Sequence, residues 1–174
     1  MLRSIATLCV LIAFVSLWTG CRHYQLGSSA QLPFKSIYIE PVHNESYAPQ
    51  AQSLVTTNLI NAFLRHGQVR VTEPAQADAT LVVTLKNYEK KLAATQSSDS
   101  GRARTVSLRL VASVDLINNQ NGSFFFQGRS LNAEELIFSS SNNNASLPQA
   151  EYQSMPELAR ELANNIHNSV VDVW

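Results

Sequence analysis

The stretch RTVSLRLVASVDL, residues 104–116, alternates apolar and polar side chains with little interruption. Val106, Leu108, Leu110, Ala112, Val114 and Leu116 fall on one side; Thr105, Ser107, Arg109, Ser113 and Asp115 fall on the other. Successive side chains of a strand point to opposite faces of its sheet. The pattern therefore predicts a sheet with one buried and one wet face. Such a sheet needs a second layer over its apolar side.

Two segments have the helical spacing to supply that layer. In YAPQAQSLVTTNLINAFLRHG (47–67), Ala51, Leu54, Val55, Leu59, Ala62 and Phe63 form one apolar stripe. Pro49 suits a first turn, and Gly67 suits the left-handed residue that ends a helix. Near the C-terminus, Leu158, Leu162, Ile166 and Val170 repeat every fourth residue, with Ala159, Ala163 and Val173 beside them. Ser154 and Glu157 have capping-box spacing and place Pro156 in the first turn.

The remaining strands are shorter or less regular. SIYIEPV (36–42) reads as a strand ended by Pro41, and QVRVTE (68–73) as a second, short one. Leu81, Val83 and Leu85 alternate with Val82, Thr84 and Lys86 in the first arm of a long hairpin. NNQNG (118–122) is a turn leading into a strand over 123–138, and SSSNNNAS (139–146) is a polar loop. The order is β-α-β-β-β-β-α. It predicts an α+β two-layer sandwich over residues 36–174, with two amphipathic helices on one face of a mainly antiparallel sheet.

Residues 1–20 have a different character. Arg3 precedes an uncharged, mostly apolar run, Ile5–Trp18, and Thr19–Gly20 supply small residues before Cys21. That is the layout of a secretory signal, and the run is too short to span a bilayer. A small residue followed by cysteine resembles the lipobox of bacterial lipoproteins, although Trp18 stands where that pattern has an aliphatic residue. The resemblance implies cleavage after residue 20, acylation of Cys21, and a polar tether over residues 21–35. Of the two cysteines, Cys9 lies in the removed segment, so the product holds one cysteine and no internal disulfide. An acylated cysteine avoids the liability of an odd free thiol in an oxidising compartment. The alternative is an ordinary signal peptide that leaves a stray thiol. In Gram-negative lipoproteins an Asp after the cysteine favours retention at the inner membrane, so the resemblance implies that Arg22 favours export to the outer one.

Thirteen basic residues balance thirteen acidic ones, so net charge says nothing about partners. Their distribution is more informative. Lys86, Lys90, Lys91, Arg102, Arg104 and Arg109 cluster in the hairpin against Glu89 and Asp99, whereas 151–174 is acidic. A turn centred near Asp99 would set Lys86 opposite Arg109 and Tyr88 opposite Ser107 on the wet face. Like charges there repel unless water or an anion screens them. Nucleic acid would explain the charge but not an exported, lipid-anchored protein; membrane phosphate or lipopolysaccharide explains both. A merely solvated face is the competing reading.

Catalytic chemistry has little support. His23, His43, His66 and His167 lack metal-ligand spacing. Glu134 and Glu135 are strand neighbours that would point to opposite faces, and no phosphate loop, Gly-x-Ser-x-Gly or His-Glu-x-x-His is present. No enzyme activity, cofactor or metal is expected.

Taken together, GC with YQL (20–26), IYIEPVHNESYAPQ (37–50), the helix after it, ADATLVV (77–83), the basic hairpin and the C-terminal amphipathic helix resemble the LptE family of LPS-assembly lipoproteins. The family's Asn-x-Ser/Thr-aromatic pattern falls on Asn44, Ser46 and Tyr47, and its Ala-Asp pair on Ala77 and Asp78. The resemblance implies a non-enzymatic outer-membrane partner of the LptD β-barrel translocon that sits within the barrel, supports its assembly and binds lipopolysaccharide. It makes Cys21 the anchor and the six basic hairpin residues candidate phosphate contacts. Two rivals stay open on sequence alone: a lipoprotein activator of a cell-wall synthase, LpoB- or CsgG-like, and an auxiliary lipoprotein of a lipid transporter.

Radiolabelled palmitate is expected to enter the wild-type chain and not Cys21→Ser, with the rest of the domain still folding. Equal labelling of the two would end the lipoprotein reading.

Overall fold

The structure is a computed structural model and describes residues 32–48, 50–95, 103–140 and 147–172. The expected signal segment, Cys21, Pro49 and the tip of the hairpin fall outside the described residues. The elements are β1 (Ser36–Ile39), β2 (His43–Asn44), α1 (Ala51–His66), β3 (Arg70–Val71), β4 (Ala79–Thr95), β5 (Ala103–Asn118), β6 (Phe124–Ser140) and α2 (Leu147–Val171). The sheet runs β3-β1-β4-β5-β6, with β2 also on β4. The long strands β4, β5 and β6 pair antiparallel, while β1, β2 and β3 enter through parallel pairings. This is the expected α+β architecture, with both helices against a mainly antiparallel open sheet.

The alternating strand is its centre. All six inward residues of β5, from Val106 to Leu116, are buried. The same core holds Val55, Leu59, Ala62 and Phe63 of α1, which packs against β1, β2 and β3, and Leu158, Leu162, Ile166 and Val170 of α2, which packs against β5 and β6, all buried. Truncating one such large side chain to Ala typically costs about 2–5 kcal/mol, a large part of the roughly 5–15 kcal/mol that holds a domain folded. Phe34 is also buried and its ring meets Phe125 at 5.4 Å. The folded unit therefore takes in residues that the sequence reading left in the tether.

Local chemistry explains where the elements differ from expectation. The first strand is not continuous over 36–42, because Pro41 has no N–H to give to a ladder. The chain leaves the sheet there and rejoins it as β2. Glu40 N–H donates to Leu81 O at 3.0 Å and Glu45 N–H to Leu85 O at 2.9 Å, which keeps both pieces on β4. Val42 N–H, between them, donates to Thr56 Oγ1 of α1 at 3.1 Å. The second strand shrinks from 68–73 to two residues laddered on Ser36 and Ile37. Helix α1 ends as expected: Gly67 takes φ 63° and donates its N–H to Phe63 O at 3.2 Å.

The C-terminal helix begins seven residues before Ser154, so Pro156 lies inside it and Ser154 is no cap. An interior proline removes a helical hydrogen bond, here the one to the Tyr152 carbonyl, at a cost of about 3 kcal/mol. Tertiary contacts outweigh that local preference. Met155 is buried, and Glu151 is held by two side chains of β4.

The Ala77–Asp78 pair has a defined structural role. Asp78 Oδ2 accepts from Lys35 N–H and Ser36 N–H, both at 3.0 Å, and from Ser36 Oγ at 2.8 Å. Asn119 donates its N–H to Asp78 O at 2.9 Å and its Nδ2 to Ala77 O at 2.8 Å. One residue thus joins the starts of β1 and β4 to the turn after β5. The Lys35 backbone N–H, then the Ser36 hydroxyl, hold the Asp78 carboxyl below the usual carboxylate range.

Between the two helices His167 is 2% exposed, edge-on to Phe63 at 4.8 Å and stacked on His66 at 4.3 Å. Burial pushes its pKa down, and His66 and Arg65 push the same way against Asn168 and Asp172. Above about pH 6.5, the ordinary histidine value, this residue is neutral whether folded or unfolded and the stability is full. As pH falls below that point the unfolded chain takes up a proton that the folded one resists, so stability is lost until the lowered folded pKa is passed. The urea midpoint is expected to drop between about pH 7 and about pH 5.5, and His167→Phe to flatten that drop. An identical slope in the variant would remove His167 as its cause.

Candidate functional site

The three-stranded arm carries Lys86, Lys90, Lys91 and Arg109 among its described side chains, and the ladder distributes these four over both faces. Its base is set by Ala79 opposite Asn118. Irregularities between Leu85 and Asn87, and between Leu92 and Ala94, then insert Lys86 and Ala93 into β4. Each inserted residue shifts later pairings by one and turns the following side chains over. The expectation that Lys86 faces Arg109 and Tyr88 faces Ser107 is therefore overturned. Glu89 lies opposite Arg109, Tyr88 opposite Leu110, Lys90 opposite Leu108 and Lys91 opposite Ser107.

The electrostatics change accordingly. Across the open face Arg109 stands between Glu89 of β4 and Glu134 of β6. The row reads acid–base–acid, so opposite charges meet where like charges were expected. Lys91 Nζ is 2.6 Å from Glu89 Oε2, and Lys86 Nζ donates to Glu45 Oε2 at 2.8 Å. The Lys91 ammonium, more than the Arg109 guanidinium, pulls the Glu89 pKa down. Ser107 Oγ donates to Glu134 Oε1, and Arg109 Nε is buried with no hydrogen-bond partner among the described residues. Glu134 and Glu135 do point to opposite faces, since their partners are Arg109 and Leu108.

Lys90 turns toward the helices. Its Nζ is 2.7 Å from the Glu151 carboxylate of α2, and Tyr88 Oη donates to Glu151 Oε1 at 2.8 Å. Burial, reinforced by the Glu151 carboxylate, raises the Tyr88 pKa above that of an ordinary phenol. Arg104 lies in β5 opposite Thr95 and Ser139, but its side chain, like the whole of Arg102, is outside the described residues.

Several contributors were not read from sequence. Glu45, Glu134 and Glu151 hold or flank the cations, and Leu136 and Phe138 expose 48% and 72% of their surface beside them on β6. The period-two pattern of β6 was hidden by Gly128, which takes φ 65°, donates its N–H to Asp115 Oδ1 and accompanies a register shift. The Asn44–Ser46–Tyr47 pattern makes a turn in which Asn44 Oδ1 accepts from Ser46 N–H at 3.0 Å and Ser46 Oγ at 2.7 Å. Tyr47 leaves that turn 99% exposed. Two open clefts of about 510 and 520 Å³ lie elsewhere, and no basic side chain lines either. Among the described residues no helix is long and apolar enough to cross a membrane.

An open charged sheet face backed by two helices defines an α+β domain whose charged groups pair along the surface. The chain belongs to the LptE lipopolysaccharide-assembly family, whose profile matches residues 34–170. That family consists of non-catalytic, outer-membrane-associated lipoproteins. Among solved structures, a minor lipoprotein from Acinetobacter baumannii is similar over 79% of this chain and 94% of its own, with 16% identity and TM-score 0.52. The hypothetical protein CT253 from Chlamydia trachomatis matches over 79% of this chain and 98% of its own, with 12% identity and TM-score 0.51. At these identities the likeness is one of fold. No curated protein sequence matches the chain.

The acid–base–acid row makes a specific claim about stability. Favourable cross-strand charge pairs contribute about 0.2–1 kcal/mol each, and Arg109 lies opposite an acid on each neighbouring strand. Arg109→Ser is expected to lower stability to urea by about 1 kcal/mol. Lys86→Ser, which loses one exposed ion pair, is expected to stay within about 0.5 kcal/mol of wild type. Stabilisation by Arg109→Ser would restore the repulsion that the ladder argues against.

Proposed function

We propose that this chain is a lipid-anchored outer-membrane protein, tethered through Cys21, that assists assembly and function of an LptD-like β-barrel translocon. In this reading it binds lipopolysaccharide on the way to the outer leaflet. The observation that carries the proposal is the LptE family match across nearly the whole folded domain.

The open face offers a physical route to lipid phosphate. Lys86 and Lys91 are 47% and 68% exposed, and each is held by one acidic partner. Exposed ion pairs are worth only about 0–1 kcal/mol, so a phosphate can replace the carboxylate at small cost at Lys86, whose partner Glu45 is exposed, and less readily at Lys91, whose partner Glu89 is half-buried. The exposed Leu136 and Phe138 give an acyl-bearing ligand apolar contact beside them. Arg109 is the weaker contact, being flanked by two carboxylates. Arg102 and Arg104 would extend the cationic surface toward the hairpin tip.

Detergent-solubilised outer membrane is expected to yield a large β-barrel with this chain as bait, identified by mass spectrometry. Recovery of a cell-wall synthase or a lipid transporter without a barrel would overturn the assignment. Titration with lipopolysaccharide is expected to show weaker, less salt-sensitive binding by Lys86→Ser/Lys91→Ser than by wild type. Equal binding at low and moderate salt would make the open face solvated surface only.

A further inference from the structure

The Tyr88–Lys90–Glu151 contact differs from the other ion pairs of the arm. Glu45 and Glu89, the partners of Lys86 and Lys91, are 59% and 30% exposed, whereas the Glu151 side chain is 11% exposed. Both of its donors come from the inserted register of β4, which turns Tyr88 and Lys90 from the open face to the helix face. Leu108, opposite Lys90, is buried, as are Val106 and Ile137 along the same face. A phenol, an ammonium and an apolar floor are thus grouped under the first turns of α2. Phenol and ammonium donors with an apolar floor match the chemistry of a phosphate carried on acyl chains.

We propose that Tyr88 and Lys90 form an anion seat for the phosphate of an acylated lipid, and that Glu151 of α2 occupies this seat as an internal competitor. The proposal rests on the lipid-phosphate reading above and adds the regulation of that site. Exchanging one anion for another leaves the same two donors satisfied, and a buried ion pair contributes little net stability to defend the contact. The helix has a built-in place to yield. Pro156 leaves the Tyr152 carbonyl without its helical donor, so residues 147–155 join the rest of α2 across its weakest turn. Beyond that turn Leu158, Leu162, Ile166 and Val170 stay in the core. Before it, Met155 is the one large buried apolar side chain that lifting withdraws from the core, while Tyr152 is largely exposed and its Oη accepts from Gln50 Nε2 at 3.3 Å. Lifting the segment exposes Tyr88, Lys90 and the apolar strip together.

The experiment uses the full chain in detergent with lipopolysaccharide as probe. Glu151→Gln removes the competing charge and is expected to tighten binding about fivefold to tenfold, within the range of an internal coupling. Adding Lys90→Gln to that variant, or using dephosphorylated lipopolysaccharide, is expected to abolish the gain. Inorganic phosphate that competes with the lipid would show that phosphate alone fills the seat; failure to compete would assign it to the whole lipid, and the seat stands in either case. Should Glu151→Gln not fold, amide exchange of wild type gives the second readout: residues 147–155 are expected to exchange faster once lipopolysaccharide is bound. Wild-type binding with no gain in a folded Glu151→Gln, or with unchanged or slower exchange over 147–155, overturns the internal competitor and leaves the lipid reading intact. No binding by either form overturns both.

Discussion

The inward row of β5 must be kept from water, and most of the architecture follows from that constraint. Six apolar side chains on alternate positions of one strand gain nothing from a sheet alone, because pairing with β4 and β6 leaves that face open. Two helices close it, and each presents a stripe that is buried over its length. The parallel strands β1 and β3 extend the same layer at one edge, where Asp78 ties the entry of β1 to the start of β4. The opposite face then remains free for charged and hydroxyl groups, which pair laterally.

Function in this fold is a matter of which charges are already engaged. A basic cluster in a sequence suggests an attractive surface, but an ammonium with a carboxylate at 2.7 Å offers an external anion only what exchange permits. The arm grades this availability. Lys86 holds an exposed partner and Lys91 a half-buried one, Arg109 sits between two acids, and Lys90 is bound to a carboxylate on another element. Under the function proposed above, this gradation would matter, because contacts that exchange would let an anionic lipid be both accepted and released.

Much of the fold was legible because it rests on local periodicity. The alternation of 104–116, the stripes of both helices and Gly67 at a helix end each report a structure that the same residues adopt. The failures are equally local in origin. The capping-box spacing at Ser154 is a genuine start signal that buried contacts of Glu151 and Met155 overrode, carrying the helix through Pro156. The strand 36–42 was read as one piece because Pro41 was placed at its end instead of at a break between two pieces on the same neighbour.

By itself the sequence determined which side chains had to be buried, the α+β class and the family, since each depends on the order and period of residue types along the chain. Only the tertiary structure decided how the cations are partnered. That outcome depends on register, and register accumulates. Asn118 opposite Ala79 sets the base, and each residue inserted into β4 moves every later pair by one. Side chains alternate with a period of two, so one insertion at Lys86 was enough to bring Glu89 before Arg109 and to send Tyr88 and Lys90 to the helices. No count of charges along the hairpin contains that information, because a bulge is chosen by the fit of the whole sheet beneath its helices.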